Sequence, residues 1–177
     1  MRFTSRIPRL IVMAMLLLAI THVTGQSNEQ SQSRHRAEIG FGFTFIPLAG
    51  ELEDTDARGL FIPTVRLDYF FRMLPRWEIG FMGNYEIDHY MIVDEQIEID
   101  HAVVLALVGM FKITDHWGAF TGGGAEISPQ LTRGVFRLGT EYTIDLKKNF
   151  ALVPKLFLDF RGSYLTWSAA LTVAKKF

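Results

Sequence analysis

Three groups of residues have types and spacings that invite a chemical reading. The segment Glu51-Leu52-Glu53-Asp54-Thr55-Asp56-Ala57-Arg58-Gly59 puts Asp54, Asp56 and Gly59 at positions one, three and six of a calcium-loop pattern. Arg58 and Val65 then stand at positions five and twelve, where oxygen ligands belong, so the segment reads as a solvated acidic loop. Asp94, Glu95, Glu98 and Asp100 read the same way, and no metal site is expected. Gly122-Gly123-Gly124 is followed by no Lys-Ser/Thr and so is no phosphate cradle; glycines there let a strand bend. A serine nucleophile needs a histidine beside it. His35, His89, His101 and His116 have no serine in a His-x-Ser arrangement, and Ser163 and Ser168 lie far away. His101 could meet a serine only across strands, and a rim histidine is the simpler reading. With no cysteine there is also no thiolate metal site, disulfide, cysteine nucleophile or lipid-anchor cysteine. Neither a catalytic residue nor a cofactor is expected.

The elements that must position these residues emerge from the chain as a whole. Its 177 residues suit one domain, and a net charge of −1 gives no basic excess for nucleic acid. Arg2, Arg6 and Arg9, the apolar run Leu10–Ile20 and the small residues of Val23-Thr24-Gly25 read as a cleaved signal peptide over 1–25. That run is too short for the roughly 20 residues of a spanning helix. Residues 26–34 are polar and read as a disordered lead-in to a domain over 35–177.

From His35 onward, segments rich in aromatic and β-branched residues alternate with turn-like clusters, and none keeps a 3.6-residue period. Strands are expected near 35–48, 59–72, 76–89, 99–113, 117–128, 132–145, 149–161 and 164–177, each long enough to cross a bilayer when tilted. One face of each is greasy: Ile39, Phe41, Phe43 and Phe45 in the first strand, Val65, Leu67, Tyr69 and Phe71 in the second. Turned inward, so many aromatics would overfill an eight-stranded barrel; turned outward they suit lipid. The inward face then carries Glu38, Arg66, Asp68, Glu78, Glu86, Lys112, Glu126, Arg137, Glu141, Lys155, Asp159 and Arg161, a mixed-sign set able to pair across a narrow lumen. Such a set predicts a polar plug more than an open pore. The fourth strand is apolar on both faces, with Val104, Ala106, Val108 and Met110 inward.

With the amino end of the first strand on the periplasmic side, Tyr69, Phe71, Trp77, Phe111, Trp117, Tyr142, Phe150 and Phe177 fall on one rim. Phe45, Tyr85, Phe160 and Trp167 lie toward the other, so the aromatic girdle has two levels. Turns at 73–75, 114–116 and 146–148 are short, whereas loops around 49–58 and 90–98 are longer and acidic. Pro63 and Pro154 lack the N–H a ladder needs and are expected near rims or bulges.

These residues resemble the small outer-membrane β-barrel family typified by the OmpA transmembrane domain. The most specific element is the last strand, YLTWSAALTVAKKF over 164–177, in which Leu165, Trp167, Ala169, Leu171 and Val173 share a face with Phe177. Leu171, Val173 and Phe177 look like the signal read by that family's barrel-assembly machinery, although Lys175 interrupts the face. The resemblance implies an all-β, eight-stranded antiparallel up-and-down transmembrane barrel in a Gram-negative outer membrane. It would be monomeric, in contact with outer-membrane lipid and lipopolysaccharide, and would serve a structural or surface role or form a narrow porin-like channel. The alternatives are a lipid-modifying enzyme such as a lipid A deacylase, and a soluble lipocalin-like carrier with its apolar face inward.

Overall fold

The computed structural model describes residues 33–47, 49–50, 59–92 and 97–177. The expected signal peptide, most of the lead-in and the acidic stretches 51–58 and 93–96 lie outside the described residues.

Residue alternation makes the strands. The long ones are β1 (His35–Ile46), β3 (Leu60–Leu74), β4 (Trp77–Glu86), β7 (Val103–Lys112), β8 (Trp117–Ile127), β9 (Thr132–Tyr142), β11 (Phe150–Arg161) and β12 (Tyr164–Lys176). Short strands β2 (Ala49–Gly50), β5 (His89–Ile92), β6 (Ile97–Asp100) and β10 (Ile144–Asp145) lie between them. Each long strand pairs antiparallel with the long strand before it. β12 then returns to β1, from Arg36↔Lys176 to Phe45↔Trp167, and closes an eight-stranded up-and-down barrel. Closure leaves the eight-stranded wall without a free edge, which answers the main liability of an all-β chain.

β1 begins and β12 ends at one rim, the near rim; the far rim carries two longer connections, 47–59 and 87–102, and two brief ones, 128–131 and 162–163. One far-rim connection is a sharp two-residue hairpin. Gly162 sits at φ 60° between the paired Arg161 and Tyr164, the position a type II′ turn reserves for glycine. In β8 the glycines permit a close approach: a Cβ at Gly122 or Gly124 would come 2.0 or 1.8 Å from the carbonyl oxygens of Leu107 and Leu105. Only glycine lets β8 coil this closely against β7.

The far side departs from the expected strands. The third ends at Glu86 and the fourth starts at Val103, because 89–92 and 97–100 leave the wall and pair with each other and with Ala49–Gly50. His101, at φ 51°, turns the chain back toward the barrel. The small sheet lays Ile92 and Ile99 on Ile46, Ile62, Ala102 and Tyr164, an apolar cluster at the far mouth. Periodicity could not separate this excursion from the wall, since both alternate with period two.

Both prolines sit where the ladder lets them. Pro63 lies where β3 stops pairing with β4; its carbonyl accepts from the Ile87 N–H at 2.9 Å, with no reciprocal donor needed. Pro154 pairs across to Leu171, while on its other side the ladder is interrupted between β9 and β10.

Candidate functional site: the charged interior

The polarity of the wall is inverted relative to a water-soluble barrel. Outward side chains are apolar and exposed, including Ile39, Phe41, Phe43, Leu67, Phe81, Leu107, Phe136, Leu138, Leu156 and Leu171, with Phe41 at 72%. Inward ones are charged and buried: Glu38, Arg66, Asp68, Glu78, Glu86, Glu126, Arg137, Glu141, Lys155, Asp159 and Arg161 are all below 7% exposure. Lys112, at the near end of β7, keeps 14% of its side chain exposed. Even spacing along every strand puts these residues on one side of the pleat, and closure turns that side into the lumen.

Burying ions in isolation costs several kcal/mol each, so each must be met by an opposite charge with good geometry. Near the near rim, the Lys155 ammonium lies 2.8 Å from Glu38, 2.9 Å from Asp68 and 3.4 Å from Glu141. Arg36 reaches Glu141 at 2.7 Å, Glu78 at 3.0 Å and Glu38 at 3.2 Å. Lys112 donates to Glu141 at 2.8 Å, and the Thr172 hydroxyl to Glu38 at 2.6 Å. Midway, Arg137 forks onto both oxygens of Asp159 at 2.7 Å and donates to the Asn84 side-chain oxygen at 2.8 Å. Toward the far rim Arg161 spans Glu86 and Glu126, each with a contact at 3.1 Å, and the Tyr164 hydroxyl donates to Glu126 at 3.0 Å. Asp68 links the levels, since it also takes Arg66 at 3.2 Å. The chain of contacts thus runs nearly the length of the lumen.

Rings are interleaved with the charges. Arg66 and Arg137 each lie 4.5 Å from the centre of the Phe157 ring, and Arg36 and Lys155 lie 4.3 and 4.7 Å from that of Phe70. A desolvated cation over a ring is held by the ring quadrupole, at about 2 kcal/mol in favourable cases. Phe70, Phe120 and Phe157 pack with Met82, Ala106, Val108 and Met110. Glycines make room: a Cβ at Gly80 would sit 2.3 Å from the Phe70 ring.

Beside these twelve charges stand two features that sequence reasoning missed. Arg36 was overlooked because it stands beside the polar lead-in, although it alternates with Glu38 and a shared face could have shown it. The inward phenylalanines were missed because in Tyr69-Phe70-Phe71 and Leu156-Phe157-Leu158 apolar residues occupy both faces, which erases alternation. Fourth-strand residues Val104, Ala106, Val108 and Met110 do face inward, where they flank these rings.

The girdle residues also have their places. At the near rim His35 stacks on Phe177, with centroids 5.7 Å apart, and its Nδ1 lies 2.6 Å from the Tyr69 hydroxyl. Trp77 lies against Phe111 at 5.0 Å, and Trp117 against Tyr142 at 5.5 Å. Phe150 packs under Lys175, and Phe71 lies against His35. At the far rim Trp167 meets Phe45 and Phe61 at 5.2 and 5.6 Å. Leu171, Val173 and Phe177 are exposed on the outer face of β12.

No protein-family model matches the sequence, and no curated protein matches it. Solved structures do resemble the fold. Ail, the attachment invasion locus protein of Yersinia pestis, in complex with the heparin analogue sucrose octasulfate, superposes with a TM-score of 0.58 at 12% identity, covering 82% of this chain and 99% of Ail. Neisserial surface protein A superposes with a TM-score of 0.51 at 8% identity, covering 81% of this chain and 97% of that protein. At such identities the likeness is one of architecture. With a closed antiparallel wall, greasy outside and charged inside, this chain has the eight-stranded fold of the small outer-membrane β-barrels.

Proposed function

We propose that the chain is an integral outer-membrane β-barrel protein with a structural or surface role and a lumen too crowded to conduct. The observation that carries this reading is the inverted wall, with exposed Phe41, Phe43, Leu138 and Leu156 outside and fully buried Arg66, Arg137 and Arg161 inside. Water would penalise that outer surface, whereas hydrocarbon would welcome it. A soluble carrier would need the opposite orientation. The near rim, where the strand ends are joined by short turns, would face the periplasm, and the far rim with its longer connections the outside.

In this reading the ion-pair network stands where a channel would need water. Each lumen charge already has a partner, and the Phe70 and Phe157 rings occupy the space between levels. The protein refolded in detergent should shift its gel mobility on heating and partition with vesicles after alkaline washing. Recovery as a soluble protein without detergent would sink the membrane reading. In planar bilayers we expect no steady conductance; discrete, reproducible openings would instead favour the narrow channel. Labelled lipid A incubated with the refolded protein should stay intact, and acyl release would revive the enzymatic alternative.

A further inference from the structure

Lys175 is the one residue the lipid-facing pattern of β12 leaves unexplained. It stands in the outward row between Val173 and Phe177, exposed, with its ammonium 5.4 Å from the centre of the Phe150 ring. Cross-strand neighbours are Phe150 on one side and Ala37 on the other, so no acidic side chain flanks it in register. A cation in hydrocarbon is costly unless its head group reaches a polar layer, so Lys175 marks the level of an interface.

Lys175 has company along one arc of the near rim. Lys147 and Lys148 form the turn just before Phe150, Arg34 precedes β1, and Arg76 lies in the turn between β3 and β4. All are exposed. These positions are contiguous around the wall, on the successive strands β11, β12, β1, β3 and β4. Lys176, also on this arc, is already paired with Asp145. The turn between β7 and β8, on the opposite arc, carries Asp115 in place of cations. At the same rim stand Phe150 and Tyr69, level with Lys175 in the sheet, together with Phe177 and Trp77, exposed rings suited to the boundary between acyl chains and head groups.

We propose that this arc of the near rim binds the phosphate-bearing head groups of anionic phospholipids, with Lys175 and the Lys147–Lys148 turn at its centre. The inference rests on the membrane reading above. Cations near a membrane surface each gain on the order of 1 kcal/mol toward anionic lipid, which favours a charged head group over a zwitterionic one. The attraction should fade at high salt, since these groups are solvent-exposed.

Tryptophan quenching by brominated lipid tests the proposal. A protein whose only tryptophan is Phe150→Trp, with Trp77, Trp117 and Trp167 changed to Phe, is refolded into phosphatidylcholine vesicles. The vesicles contain a small, equal fraction of either brominated phosphatidylglycerol or brominated phosphatidylcholine. We expect the phosphatidylglycerol to quench position 150 as though locally enriched at least about threefold, an excess abolished by Lys147→Gln, Lys148→Gln and Lys175→Gln together or by molar salt. Trp117 alone, on the opposite arc, and Trp167 alone, at the far rim, should show no such excess. Equal quenching by the two lipids at position 150 would overturn the proposal and point to an acidic protein as the partner of these cations. Absence of quenching by either lipid would instead overturn the membrane reading itself.

Discussion

Arg137 shows what a single residue does in this interior. Its guanidinium forks onto Asp159, donates to Asn84 and lies on Phe157, all out of water. Replacing it with methionine would keep much of the volume but leave the Asp159 carboxylate with only the longer 3.5 Å contact to Arg161. We expect a loss of about 3–5 kcal/mol in urea unfolding from vesicles, the usual cost of removing one partner of a buried ion pair. The double variant Arg137→Met with Asp159→Leu should recover much of that loss, because it removes both charges. If the single and double variants were equally unstable, packing and not charge would be responsible. At Gly80 the constraint is steric. Gly80→Ala should cost about 1–3 kcal/mol, as Phe70 must leave its place against Arg36 and Lys155. A companion Phe70→Leu should restore part of it.

At the scale of elements, the turns and the last strand govern how readily the wall closes. Lys148 and Asn149 both sit at positive φ, 60° and 63°, between β10 and β11, the geometry of a type I′ turn. Asparagine adopts that region at less cost than lysine, so Lys148→Asn should raise stability by about 0.5–1 kcal/mol in the same unfolding assay. Closure itself is the pairing of β1 with β12, clamped at the near rim by two backbone bonds between His35 and Phe177, at 3.0 and 2.9 Å. The His35 ring covers Phe177 there. Phe177→Ala should therefore slow assembly into bilayers and weaken the heat-modifiable band, while leaving isolated hairpins able to form. An outer-face charge tests the lipid contact directly. Leu156→Arg, in the middle of β11, should cost about 2–4 kcal/mol in a bilayer.

The whole molecule is built inside out: the outer face of the wall is apolar, and the lumen is charged. Local sequence was enough to decide much of this. Alternation with period two fixes which residues share a face, so Glu38, Asp68 and Arg137 could be assigned to one side of the pleat before any pairing was known. Three things were decided only by tertiary structure. Partner choice was one: Lys155 lies 87 residues from Asp68 and 117 from Glu38, and only closure of the sheet brings the three together. Strand departure was another, because residues 97–100 alternate like wall residues yet pair with 89–92 above the mouth. The third was the inward turn of Phe70, Phe120 and Phe157, which depends on space left by Gly80 and Gly139, their partners in register on the adjacent strands. A periodic pattern reports the direction of a side chain relative to its own backbone. Who stands opposite, and how much room remains, is set by the register and curvature of strands far apart in the chain.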